Sequence, residues 1–348
     1  MTKRLLRSTA LVTCALLLIR FATLAAAQSV NYQLLKKVPL RAAPGGSEYF
    51  DYLFAVSDAR RVYVSHGTEV KVVDADTGDV IGTITGLRKC HGIAVPTGSG
   101  KGFITDGEAG RVFTFDTKTL KITSEIKTAD DSDSIIYDPA SKHIFAFNGD
   151  SNTASVIDPM SASLVKTIEM GGGPEFAVAD GQGMIFNNIE DKNELVAIDS
   201  RTLTIKSRWP VAPAGGPTAL AIDREHRRLF SAGRKPQMVV MMDADSGKVL
   251  QSLPISAGAD AAVFEDATRL LFVSTREGMV HIFHEDSPTQ LSEAQTLRTE
   301  YGAKTMALDT KTHNLYLSTA DFTEAASGQS KGRREPKPGT FHLLIYRR

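Results

Sequence analysis

Five aspartates, Asp74, Asp116, Asp158, Asp199 and Asp243, recur along this chain at intervals of 42, 42, 41 and 44 residues. Their surroundings recur too: "VKVVDADTGDVIGTI", "VFTFDTKTLKITSEI", "ASVIDPMSASLVKTI", "LVAIDSRTLTIKSRW" and "VVMMDADSGKVLQSL". Each is an apolar run rich in strand-forming residues, an Asp, a short polar turn and a second alternating run. "VHIFHEDSP" continues the series with His284 in place of Asp. A second series, turning at Asp138, Asp180, Asp223, Glu265 and Asp309, lies between the members of the first. Every unit therefore holds four short strands in about 42 residues, which is the sequence signature of a propeller blade. Seven inner hairpins can be counted. The expectation is an all-β chain, a seven-bladed β-propeller with four antiparallel strands per blade.

The ends fit this count. After "TMALD" and "NLYLST" the last unit has one more strand, "TFHLLIYRR", and then the chain stops. "NYQLLKKVPL" near the N-terminus matches the outer strands and is expected to close the last blade, removing two open sheet edges. Residues 28–348 are then a single propeller domain. Its one long insertion, at 320–339, is polar and carries Lys331, Arg333, Arg334 and Lys337. Two readings of it stand: a solvated loop, or an arm that contacts a partner or an anion.

Residues 1–27 read as a signal peptide: a basic start, an apolar stretch and an Ala25-x-Ala27 site before Gln28. An uncleaved anchor and lipidation at Cys14 are the alternatives. A periplasmic or secreted protein is expected, with no membrane span once the signal is removed, and a monomer. Cys90 is then the single remaining cysteine, so no internal disulfide can form. Lys+Arg and Asp+Glu balance at 40 each, which argues against a protein held to nucleic acid mainly by phosphate charge.

A side chain repeated at the same turn of nearly every blade has a local task. The blade aspartates are expected to accept hydrogen bonds from backbone N–H groups of their own turns. Chemistry is expected instead where the blades differ. One such ring, placed just before each innermost strand, is Asp51, His91, Asp133, Glu175, Thr218, Asp260 and Lys304. A second ring, ending each second strand, includes His66, Asp106, Asn148 and Asn188. These residues would line the funnel face, leaving its mouth acidic on one side. Crowded carboxylates either raise a pKa or attract a cation. A divalent metal, Ca²⁺ or Zn²⁺, is one expectation, with Asp51, His91, Asp133 and Glu175 as its candidate ligands. His91 and Glu175 are the candidate catalytic acid or base. The neighbours Cys90 and His91 are not expected to act as nucleophile and base, because adjacent side chains on a strand point to opposite sides.

"RVYVSHGTEVKVVDADTGDVIGTI" and "GGGPEFAVAD" resemble the blades of the YVTN/YncE-type family of bacterial seven-bladed propellers, across nearly the whole chain after residue 27. The resemblance implies the fold and a secreted or periplasmic setting. It also implies single-stranded DNA binding for the founding type. That activity is not expected here: an acidic mouth lacks the interleaved basic and aromatic residues it needs. The functional expectation is a binding or scaffold protein recognising a ligand or a protein partner at its funnel face. The alternative is a metal-assisted hydrolase or lyase of the propeller lactonase type.

Overall fold

The computed structural model describes residues 30–41, 48–324 and 334–348. The signal-peptide reading of 1–27 and the middle of the insertion lie outside the described residues. Seven four-stranded antiparallel sheets follow one another, in the order innermost to outermost strand. The strand Gln33–Pro39 pairs with His342–Arg347 and forms the outer edge of the sheet begun by Met306–Asp309 and Asn314–Thr319. First and last segments of the chain thus share the seventh blade and close the ring. Among the described residues, no helix is long and apolar enough to cross a membrane.

The repeated turns have one physical cause. Asp74 Oδ1 accepts from the N–H groups of Asp76 and Thr77 at 2.9 and 2.8 Å, and Asp199 Oδ1 does the same for Arg201 and Thr202. Asp116, Asp158 and Asp243 hold equivalent turns. The residue four positions after the Asp adopts a left-handed conformation, and two blades place glycine there, Gly78 and Gly247. Those are the glycines of the T-G and S-G pairs in the repeat.

The hydrophobic core is divided like the blades. Among the described residues seven apolar clusters exist, each shared by two neighbouring sheets. Phe103, Phe115, Phe145, Phe186, Phe230 and Phe272 are fully buried in them. No blade buries both of its faces alone, so the ring is the unit that is stable.

Lys304 precedes its innermost strand, Met306–Asp309, as the repeat register suggested, but the other six ring residues do not. Asp51, His91, Asp133, Glu175, Thr218 and Asp260 are each the second residue of their strand. A β-bulge follows the first residue in all six strands, visible as a register shift such as Phe50↔His66 to Leu53↔Val64. A bulge lets a strand begin pairing one residue early and re-aims the side chain beside it. A turn signal in the sequence cannot reveal that.

Candidate functional site

At one end of the central channel the bulged residues build a polar well. Nδ1 of His91 lies 2.8 Å from Asp51 Oδ2 and 2.8 Å from Asp133 Oδ1, joining blades 1, 2 and 3. The Tyr49 hydroxyl donates to Asp51 Oδ2 at 2.7 Å and stands 3.0 Å from His91 Nδ1. Lys304, from blade 7, sits between Asp51, at 3.1 Å, and Asp260. Arg234, from blade 5, pairs with Asp260 and, at 3.1 Å, with Glu190. Charges therefore alternate around the well: Glu190, Arg234, Asp260, Lys304, Asp51, His91, Asp133.

The backbone under the well is tied around the ring. Hydroxyls of one blade donate to carbonyls of the next: Ser134 to Glu175 O at 2.7 Å, Thr218 to Ala259 O at 2.7 Å and Thr305 to Asp51 O at 2.6 Å. Thr105 to Asp133 O and Ser274 to Lys304 O repeat the pattern. Asp51, Asp133, Glu175 and Lys304 are thus each held at their own carbonyl, which preorganises their side chains.

The electrostatics follow from these partners. Burial alone would lower the His91 pKa, but Asp133 and Asp51 outweigh it and raise it to about 10, so the ring is an imidazolium. Burial would raise Asp51, yet Lys304 and His91 hold it well below the usual carboxylate range. Asp133 is raised by burial, with His91 opposing; it has no lysine or arginine partner among the described residues. Glu175 is raised well above its ordinary value, first by burial and next by Asp133, with Arg234 opposing. Glu175 makes no ion pair among the described residues. The alternation of charge breaks at Glu175, which stands between the carboxylates of Asp133 and Glu190 and is raised by both. The mouth is therefore not acidic on one whole side. Its carboxylates are neutralised by cations except at this gap.

Tyr52 and Phe176 close the channel beneath the well. Their rings lie 5.6 Å apart although they come from blades 1 and 4, so they meet across the axis. The Tyr52 hydroxyl reaches 3.4 Å from Asp133 Oδ2. Each follows a ring residue. The equivalent places elsewhere hold Gly92, Ser134, Ala219, Ala261 and Thr305, small enough to leave room. Gly92 has no alternative: a Cβ there would stand 2.8 Å from Asp133 O.

Not all the expected funnel residues present a free group to the well. Asp106 is buried and accepts from the N–H groups of Arg88, Lys89 and Ala109, fixing the loop before His91. Asn188 donates to Ala219 O and accepts from Ser231, stitching blade 4 to blade 5. Asn148 donates within blade 3 to Thr153 and Ser155. Thr218 spends its hydroxyl on Ala259. His66 stacks on Phe341 at 3.9 Å and lies 3.4 Å from Glu48; burial lowers its pKa. Asp51, His91, Asp133, Glu175, Asp260 and Lys304 remain as the wall of the well. The register reading missed Tyr49, Tyr52, Phe176, Glu190 and Arg234. Arg234 ends the second strand of blade 5, Arg228–Arg234, but only the fold carries its guanidinium to Asp260.

His91 Nε2 is buried and has no hydrogen-bond partner among the described residues. A Cβ on Gly107 would lie 2.7 Å from it, so the glycine keeps that nitrogen uncovered. Cys90, one residue earlier, faces the other way: its thiol is fully buried between blades 1 and 2 and donates to Glu69 O at 3.1 Å. At the base of the insertion, Phe322 packs edge-on against Tyr301 at 4.9 Å, and Arg334 lies 4.6 Å over the same ring. Backbone bonds between Thr323 and Glu335 and between Lys337 and Asp321 make that base a short hairpin.

Comparison with known proteins gives the fold and little more. Residues 49–212 match the model of a domain of unknown function, DUF5074. No curated protein matches. Among solved structures the chain is similar to Kuenenia stuttgartiensis hydrazine synthase, with a TM-score of 0.69 and 15% identity over 80% of this chain and 94% of that one. It is also similar to U3-55K, with a TM-score of 0.72 and 8% identity over 90% of this chain and 98% of that one. At such identities the likeness is one of fold alone: the chain is a seven-bladed β-propeller, compatible with a binding or scaffold role.

Proposed function

We propose that this propeller is a binding or scaffold module of the YVTN/YncE type, exported from the cytoplasm, that receives a ligand or protein partner in the polar well. One observation carries the reading: the break in charge alternation at Glu175. Elsewhere around the well the carboxylates hold ion-pair partners, so an incoming cation gains most beside Glu175, between Asp133 and Glu190. A basic group fits there, above the aromatic floor of Tyr52 and Phe176, which favours cations over their ring faces. Nucleic acid is not the proposed partner, since its phosphates would meet carboxylates.

The test is a thermal-shift and calorimetric screen with polyamines, amino sugars and basic dipeptides. Hits should be lost in Asp133→Asn and Glu175→Gln and kept in Asp199→Ala, a turn variant. Hits that survive both well variants, or a screen in which none of these cations binds, would discard the reading.

A second reading, a metal-assisted hydrolase or lyase, has one observation in its favour. Asp51, His91 and Asp133 bring three ligand atoms within 4.8 Å of one another. The 2.8 Å contacts are hydrogen-bond lengths, however, and a metal would have to displace the His91 proton and compete with Lys304. Elemental analysis of protein purified without chelators decides it. Stoichiometric metal, with a melting rise on adding Ca²⁺ or Zn²⁺, would favour this reading over the first.

A further inference from the structure

The far end of the channel has a different chemistry. Below Tyr52 and Phe176 lies a cavity of about 290 Å³, walled by the later halves of the inner strands of blades 1 to 4. Phe54, Val95, Ile136, Tyr137 and Val178 line it, and all five are only partly buried. One exposed cation, Arg224, stands at its rim. Its Nε donates to the Ala179 carbonyl at 3.1 Å, which anchors the guanidinium against the cavity wall.

Three carboxylates around this mouth, Asp138, Asp180 and Asp223, are committed elsewhere. Asp138 and Asp180 hold the backbone of their own turns, and Asp180 also pairs with Arg227 at 3.1 Å. Asp223 holds its turn and His226 at 2.6 Å. Arg224 makes no ion pair among the described residues, although Asp266 lies near enough to feel its charge. Its two Nη groups are thus the uncommitted donors beside an apolar hollow. A guanidinium recognises a carboxylate through paired N–H groups, and partly exposed apolar walls gain by being covered.

We propose that this vestibule binds a small amphiphilic carboxylate, its apolar body against Phe54, Val95, Ile136 and Val178 and its carboxylate on Arg224. The site is separate from the polar well and does not depend on the function assigned there.

Isothermal titration with octanoate, and with 1-octanol as the neutral counterpart, tests it. Octanoate should bind saturably at one site. Arg224→Gln should weaken octanoate about tenfold or more, the loss of a charge-assisted pair, and leave octanol unchanged. Val178→Trp should abolish both; Ala94→Leu replaces it if that variant fails to fold. Asp133→Asn, in the well, should leave octanoate binding intact, so failure here and failure of the proposed function are distinguishable. No saturable binding at millimolar octanoate would overturn the proposal. So would binding that survives the filled cavity, or equal weakening of octanol by Arg224→Gln.

Discussion

A single nitrogen, Nδ1 of His91, lies 2.8 Å from the Asp51 carboxylate and equally close to that of Asp133. One imidazolium thereby ties three blades together at the top of the channel. Removing one partner of a buried charged set leaves the others uncompensated and costs about 3–5 kcal/mol. His91→Ala should lose stability on that scale in urea unfolding near pH 6. The His91 pKa is raised from 6.5 to about 10 on folding. Its contribution is therefore complete below about pH 6.5 and is lost as the pH climbs through about 10. The stability gap between wild type and His91→Ala should narrow across that window; a constant gap would show that the imidazolium is not what stabilises.

Lys304 is the corresponding link between blades 6, 7 and 1. Lys304→Met should destabilise by about 3–5 kcal/mol, because Asp51 and Asp260 lose their shared cation. Adding Asp260→Asn removes one of the stranded charges and should recover part of the loss. Additive effects in this double-mutant cycle would mean the two residues do not interact.

Cys90 should be chemically silent in the folded protein. Burial pushes its thiol pKa up to about 12, and the thiolate is the reactive form. A thiol reagent such as Ellman's should label it at pH 8 only at the rate of unfolding, with full labelling in denaturant. Rapid labelling of native protein would contradict the packing between blades 1 and 2.

Two glycines separate backbone strain from packing. Gly98 and Gly247 both have positive φ, +74 and +71°. A Cβ on Gly98 would meet nothing within 4 Å, whereas one on Gly247 would stand 2.0 Å from the Trp209 ring. Gly98→Ala should cost about 1–2 kcal/mol, the left-handed penalty alone. Gly247→Ala adds an overpacking cost of about 1–3 kcal/mol and should red-shift the Trp209 fluorescence. Equal melting temperatures for the two variants would refute the assigned contact.

The aspartate repeat was legible because each turn is a local device. Asp199 and the N–H groups it caps lie within three residues of one another, so spacing alone reveals the job. Strand count and closure by Gln33–Pro39 were legible for the same reason, since each blade is one repeat and the two end pieces complement each other. His91 and Asp133 could be placed in one ring from register. Their mutual contact could not, because it joins residues 42 apart through the curvature of the whole ring. Asp106 and Asn188 looked like members of the same wall, yet their side chains turn to nearby backbone. That choice depends on which donors the neighbouring blade brings within reach.

The sequence by itself determined seven blades, the turn chemistry and the separation of Cys90 from His91, all consequences of period and alternation within short segments. The tertiary structure alone decided which charges meet. The bulges re-aim the ring residues, and closure carries Lys304 to Asp51 across 253 positions. Arg234 supplies the cation that the register did not contain. Coulomb energy depends on distance in space, and only the closed ring sets those distances, leaving Glu175 as the ring carboxylate with no ion pair among the described residues.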